Sequence, residues 1–130
     1  MNANATAIDA HVEAVIIPVL EQYGATITAR SYDDFYSVLT ISFRGQQIAL
    51  AASIIDRADP KALKFFLKHH DRLQAIVADL MHVPAPFYSD VSIALDGAFG
   101  RRHDVDERSL AFSFICDKLR VAGKTIWTND

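Results

Sequence analysis

The sequence has almost none of the features that fix a protein in an oxidising compartment or in a membrane. It contains one cysteine, Cys116, which cannot form an internal disulfide, so a reducing cytosol is its simplest environment. Glu13 and Pro18 interrupt its first apolar stretch, and no Lys or Arg precedes that stretch, which argues against a signal peptide and a membrane span. We therefore expect a cytoplasmic protein without a membrane segment.

Glycine and proline are too few and too scattered to form a linker. The 130 residues include five Gly and four Pro, and the sequence shows no repeat or low-complexity run. With 51% hydrophobic and 22% charged residues, the composition is that of an ordinary globular domain. A chain of this size buries about two-thirds of its surface on folding, which is enough for a core without disulfides. The sequence predicts one domain over residues 1–130.

Residues 7–23 carry the clearest helical pattern in the sequence. Apolar side chains recur there every three or four positions, and polar residues lie between them. Thr6 is the predicted N-cap, and Gly24 is the predicted C-terminal residue in the left-handed conformation. Because Pro18 removes one backbone hydrogen bond from the helix interior, we expect the helix to be kinked.

Three strands are predicted after this helix. Apolar and polar residues alternate over residues 25–30, before the turn residues Asp33 and Asp34. Two further strands flank Arg44 and Gly45. If these two residues form the whole loop, two apolar pairs face each other across the hairpin: Ile41 with Ile48, and Leu39 with Leu50. Arg is not favoured as the first residue of such a loop, so a bulged turn stays open.

A long second helix is predicted for the middle of the chain. Asp59 followed by Pro60 is typical of a helix start, because Asp caps free amides and Pro has no amide to leave unpaired. The apolar stripe runs toward Met81, with a break near His69, and the Pro84-Ala85-Pro86 segment ends the helix. The stripe includes His70.

The last part of the chain is predicted to contain a strand and a helix. Val91, Ile93 and Leu95 alternate with small or polar residues, which favours a fourth strand that ends at Asp96-Gly97. Asp104 and Glu107 form a capping-box pattern that predicts a final helix ending before Gly123. Residues 125–128 would add a terminal strand.

The predicted fold class is α+β. The expected order is α-β-β-β-α-β-α with an additional C-terminal strand, which gives three helices and a mostly antiparallel sheet of four or five strands. Type III secretion chaperones are similar in size and in this order of elements. No residue motif accompanies the similarity, so it assigns no functional residue.

Candidate catalytic residues are few. Cys116 lies on the apolar side of the last helix, where a thiol is buried and weakly nucleophilic. His70 is interpreted as a core residue, and His69 and His82 lack the spacing of a helical zinc pair. The sequence also shows no nucleophile elbow and no glycine-rich phosphate loop. We therefore predict no catalytic residue, no metal and no cofactor.

Charge is distributed unevenly along the chain. The formal net charge of -3 combines acidic and basic segments: residues 1–43 carry one base and five acids, and residues 44–72 carry six bases and three acids. Four of these bases fall on one stripe of the second helix, which we call the basic ridge: Lys61, Lys64, Lys68 and Arg72. Arg101 and Arg102 follow the Gly97–Gly100 loop, whose amides are candidates for binding an anion.

Three classes of function fit these observations. The first is a non-catalytic protein-binding module, such as an adaptor, chaperone, inhibitor or immunity-type protein, which uses Lys61, Lys64, Lys68, Arg72, Arg101 and Arg102 to bind an acidic protein surface. A homodimer is one form of it, with the acidic residues of the first helix, Asp9, Glu13 and Glu21, meeting the basic ridge of a second copy. The second class is an anion or nucleic-acid binder, which the sequence pI of about 5.9 disfavours. The third is a small-ligand enzyme using His70 or Asp79 for proton transfer.

Overall fold

The computed structural model describes residues 3–32, 37–51, 60–101 and 104–128. The chain forms two compact units, Met1–Lys64 and Phe65–Asp130. The expectation of one domain stays a prediction, because two compact units can belong to the same domain.

The first helix, α1, covers residues 3–22 in three segments. An α-helical segment, Ala3–His11, is followed by a π-helical segment, Val12–Ile16, and by a second α-helical segment, Ile17–Gln22. The amide of Ile17 donates to the carbonyl of Val12, five residues back. This wider turn directly precedes Pro18, which has no amide to donate to the Ala14 carbonyl; the kink expected there stays a prediction.

The two ends of α1 differ in how well the sequence predicted them. Thr6 lies inside the helix, so its prediction as N-cap is wrong. At the other end Gly24 has a φ of +76°, as predicted. Its amide donates to Glu21 and the amide of Ala25 donates to Leu20, which together form a Schellman motif.

A three-stranded antiparallel sheet follows α1, with strands β1 (Thr26–Tyr32), β2 (Ser37–Phe43) and β3 (Gln46–Ala51) in that order. Ile41 pairs with Ile48 and Leu39 pairs with Leu50, so the predicted register is confirmed. The loop has two residues, and Arg44 and Gly45 have φ values of 51° and 78°. Two positive φ angles are the pattern of a type I′ turn, so the turn is not bulged.

One face of the sheet forms the core of the first unit. Five side chains from β2 and β3 are buried on it: Leu39, Ile41, Phe43, Ile48 and Leu50.

Arg30 on β1 donates to the carboxylates of Asp9 and Glu13 on α1, with a distance of 2.9 Å from Nη2 to Glu13 Oε1. This double contact fixes α1 against the edge strand of the sheet.

The second half of the chain contains four helices: α2 (Lys61–Lys68), α3 (His70–Leu80), α4 (Tyr88–Phe99) and α5 (Val105–Val121). The predicted break at His69 is confirmed, since this residue separates α2 from α3. The carbonyl of Pro60 accepts the first hydrogen bond of α2, from Lys64. Asp59, the predicted cap, lies outside the described residues.

The predicted fourth strand is wrong, because residues 91–95 belong to α4. Val91 and Leu95, four residues apart, are 0% and 3% exposed, whereas Ile93 between them is 68% exposed. A strand would have placed all three on one face, but the helix separates them. The carboxylate of Asp90 accepts a hydrogen bond from the amide of Phe87 at 2.8 Å and so caps the helix start.

The last helix follows its prediction more closely. The side chain of Asp104 accepts from the amide of Glu107 at 2.9 Å, and Gly123 after the helix has a φ of +90°.

The predicted terminal strand is wrong, because Trp127 forms only a single parallel bridge with Phe87.

The expected sheet of four or five strands with three helices is therefore incorrect. The described residues form a three-stranded antiparallel sheet and five helices, within the predicted α+β class. The similarity to type III secretion chaperones depended on an order of elements that included this fourth strand. Because residues 91–95 are helical, the chain does not have that order.

Candidate interaction surface

The lysines of the basic ridge are on the outer side of α2. Lys61, Lys64 and Lys68 are exposed. The apolar residues between them are buried, with Leu63, Phe66 and Leu67 each 0% exposed. The helical stripe predicted from the spacing is therefore present, and its lysines are exposed residues.

Arg72, the fourth member of the basic ridge, has a different environment. It is exposed, but its guanidinium donates to the carbonyl of Ala98 and lies over the ring of Phe99, 4.6 Å from the centroid. Ala98 belongs to the last turn of α4, where carbonyl groups carry partial negative charge. Arg72 thus neutralises the end of α4, and its orientation is fixed by its neighbours.

Two adjacent histidines take part in separate aromatic clusters. His69 contacts the rings of Phe65 and Phe99, with centroid distances of 4.7 and 5.2 Å, and those two rings also contact each other at 5.2 Å. His70 contacts the rings of Phe66 and Phe114, at 5.8 and 5.6 Å, in a cluster where those two rings also meet at 5.1 Å, and it is 2% exposed. The interpretation of His70 as a core residue is confirmed.

The Gly97–Gly100 loop does not have the free amides that the sequence suggested. Gly97, Ala98 and Phe99 are the last residues of α4, and the amide of Gly100 donates to Asp96 at 2.8 Å. The segment therefore ends a helix, and its carbonyl groups favour a cation such as Arg72. Arg101 is exposed, whereas Arg102 lies outside the described residues.

The acidic residues of α1 that were predicted to meet the basic ridge of a second copy are partly neutralised within their own chain. Asp9 and Glu13 both bind Arg30, so two of the three carboxylates expected to meet a second copy already have a cation. We do not propose a homodimer through this contact.

The other candidate reactive groups offer little chemistry. Cys116 is buried, and its burial raises the pKa of the thiol above the ordinary value of 9.0, although nearby Arg120 opposes that shift. A thiol with a raised pKa is a weak nucleophile at neutral pH. Asp79 and His82 are exposed, and within the described residues no three His, Cys, Asp or Glu side chains come together to hold a metal. The predicted turn residues Asp33 and Asp34 lie outside the described part of the chain.

A small pocket lies between α2, α4 and α5. Its lining consists of Phe65, Leu95, Phe99, Arg108 and Ala111, and its volume of about 10 Å³ is close to the minimum that holds one water molecule. Arg108 at its edge binds Asp96 at 2.6 Å. The pocket is too small for an organic substrate.

The structure also shows an exposed aromatic pair that the sequence did not single out. Phe87 and Trp127 are 39% and 53% exposed, and their backbones form an isolated parallel bridge. The available signal was weak: Phe87 follows the Pro84-Ala85-Pro86 segment, and Trp127 falls within the predicted terminal strand.

No protein-family model, curated protein or solved structure matches the chain. No helix in the described part of the chain has the length and apolar character needed to cross a bilayer.

Proposed function

We propose that this protein is a small non-catalytic protein-binding module whose basic ridge contacts an acidic protein surface. The observation that carries the proposal is the exposure of Lys64 and Lys68, one turn apart on α2, above a buried apolar face. Flexible ammonium groups on a rigid helix increase the association rate with an oppositely charged partner. Arg72 adds a positively charged group of fixed orientation one turn further along.

An acidic protein is a better partner for this surface than a nucleic acid. Binding to nucleic acid depends on neutralising many phosphates, and the net negative charge of this chain opposes that interaction. The positive charge is local, which suits a partner that presents a limited group of carboxylates.

The proposal is tested by affinity capture from the native host with mass spectrometry, followed by binding measurements on the captured partner. The test variant is Lys64→Gln with Lys68→Gln. The matched control is Ser109→Glu with Ser113→Glu, which lowers the net charge by the same amount at two exposed positions of α5.

We expect the glutamine variant to lose the partner and the control to keep it, with affinity in the wild type falling as salt is raised. Equal binding by both variants would contradict the proposal. Capture that disappears after nuclease treatment would instead assign the basic ridge to nucleic acid.

A further inference from the structure

The strand β3 is an edge strand, and half of its backbone groups point away from the sheet. Within the described residues β3 is hydrogen-bonded only to β2. The two-residue turn closes on the hydrogen-bonded pair of Phe43 and Gln46, and bonding to β2 then recurs at every second residue. The amides and carbonyls of Gln47, Ala49 and Ala51 therefore point outward, and no other described backbone group bonds to them.

The side chains of Gln47 and Ala49 leave this edge open. Gln47 Oε1 accepts a hydrogen bond from Thr28 Oγ1 on β1 at 2.8 Å. Because β2 lies between β1 and β3, the side chain of Gln47 reaches across β2 and away from the outer edge. Ala49 is exposed and ends at Cβ, whereas Ile48 and Leu50 are buried on the core face.

The two edges of the sheet differ in how they resist pairing with another strand. The edge strand β1 has a register shift between Ile27 and Ala29, carries the charged Arg30 and packs against α1. Bulges and charged side chains are devices that keep edge strands from pairing between molecules. Residues 46–51 contain no charged side chain and no proline, and their register with β2 has no shift. The edge at β3 is therefore the one suited to accept another strand.

The strand β3 is complementary to itself in antiparallel pairing. With a two-fold axis at Ala49, this residue bonds to Ala49 of a second copy, and Gln47 bonds to Ala51. Ile48 then lies opposite Leu50 on the core side, so the apolar faces of the two sheets are continuous. Moving the axis by one residue leaves one of the three outward-pointing residues unpaired, so this register uses the strand most fully.

We propose that two copies of the chain pair through β3 in this register and form one continuous six-stranded sheet. A second copy is a better occupant than a foreign peptide, because the hydrogen-bonding groups, the apolar face and the absence of charge all match under one symmetry axis. The contact contains no residue of the basic ridge, so this proposal and the proposed function can fail separately.

The test makes the same substitution at both edges of the sheet. Ala49→Lys places two ammonium groups opposite each other at the symmetry axis. Ala29→Lys is the matched control, because Ala29 is also exposed and lies directly across the sheet: it pairs with Thr40, which pairs with Ala49.

Analytical ultracentrifugation of the full chain should give the wild type and the control a mass that approaches twice 14.4 kDa as concentration rises. Ala49→Lys should raise the dissociation constant of the dimer at least about tenfold, because like charges facing each other oppose association. A wild type that stays monomeric would overturn the proposal, and so would equal dissociation of the two variants.

Amide hydrogen exchange of the wild type locates the contact without any substitution. The amides of Ala49 and Ala51 should exchange slowly at concentrations where the dimer forms and rapidly after dilution to the monomer. Rapid exchange at Ala49 in the dimer would assign the contact to another surface. Slow exchange in the monomer would show that the edge is covered within the chain. Either result overturns the proposal.

Discussion

The guanidinium of Arg72 on α3 lies 4.6 Å from the ring centroid of Phe99, the last residue of α4. The same group donates to the carbonyl of Ala98. One side chain therefore joins two helices through an aromatic contact and a hydrogen bond. The spacing of the basic ridge predicted that Arg72 contacts a partner; the structure shows that its guanidinium also joins α3 to α4.

This contact predicts a measurable coupling between Arg72 and Phe99. In a double-mutant cycle of Arg72→Ala and Phe99→Ala, we expect a coupling energy of about 0.5–1 kcal/mol, typical of an exposed cation–π pair. Urea denaturation followed by circular dichroism provides the four unfolding free energies. Arg101→Ala, at an exposed neighbouring position, is the control and should show no coupling to Phe99. Additive effects of Arg72 and Phe99 would show that the stacking contributes nothing.

Sequence reasoning was most accurate where two independent signals agreed. In the hairpin, the loop of Arg44 and Gly45 and the apolar pairing of Ile41 with Ile48 required the same register, and that register is present. A break near His69 was also predicted for the second helix, and the helix breaks there.

It was least accurate where a short pattern fitted two structures. Val91, Ile93 and Leu95 alternate over five residues, too few to distinguish a strand from a helix. The deciding information was tertiary, since only packing against other helices selects Val91 and Leu95 as the buried pair. The aromatic pair of Phe87 and Trp127 was missed for a similar reason, because a bridge between residues 40 positions apart leaves no local pattern.

The helical assignment of residues 91–95 predicts opposite effects at neighbouring positions. Ile93→Ala should change the unfolding free energy by less than about 0.5 kcal/mol, since the side chain is 68% exposed and Ala favours helices. Leu95→Ala should cost about 2–5 kcal/mol, because it leaves a cavity in the core. Chemical denaturation measures both. Similar losses at the two positions would instead support a strand with both side chains on its buried face.

The turn between β2 and β3 predicts a stabilising substitution. Arg44 has a φ of 51°, a conformation that most side chains adopt at a cost and that Asn tolerates better. Arg44→Asn should therefore raise the unfolding free energy by up to about 1 kcal/mol. The gain is reduced by loss of the contact between Arg44 and the ring of Phe43, at 4.9 Å. Arg44→Ala loses that contact without improving the turn and should destabilise the protein, so thermal melting of the two variants should give shifts of opposite sign.

The buried thiol of Cys116 predicts a loss of stability at high pH. Burial raises the pKa of Cys116 in the folded protein above its ordinary value of 9.0, so the unfolded chain loses this proton at a lower pH than the folded one. Below that value the thiol is protonated in both states, and its contribution to stability is complete. As the pH rises above 9, ionisation favours the unfolded chain, and the contribution declines until the folded thiol also ionises. Unfolding free energies of the wild type and of Cys116→Ala, measured between pH 7 and 10.5, should therefore converge at the alkaline end. A constant difference across this range would show that the thiol ionises equally in both states.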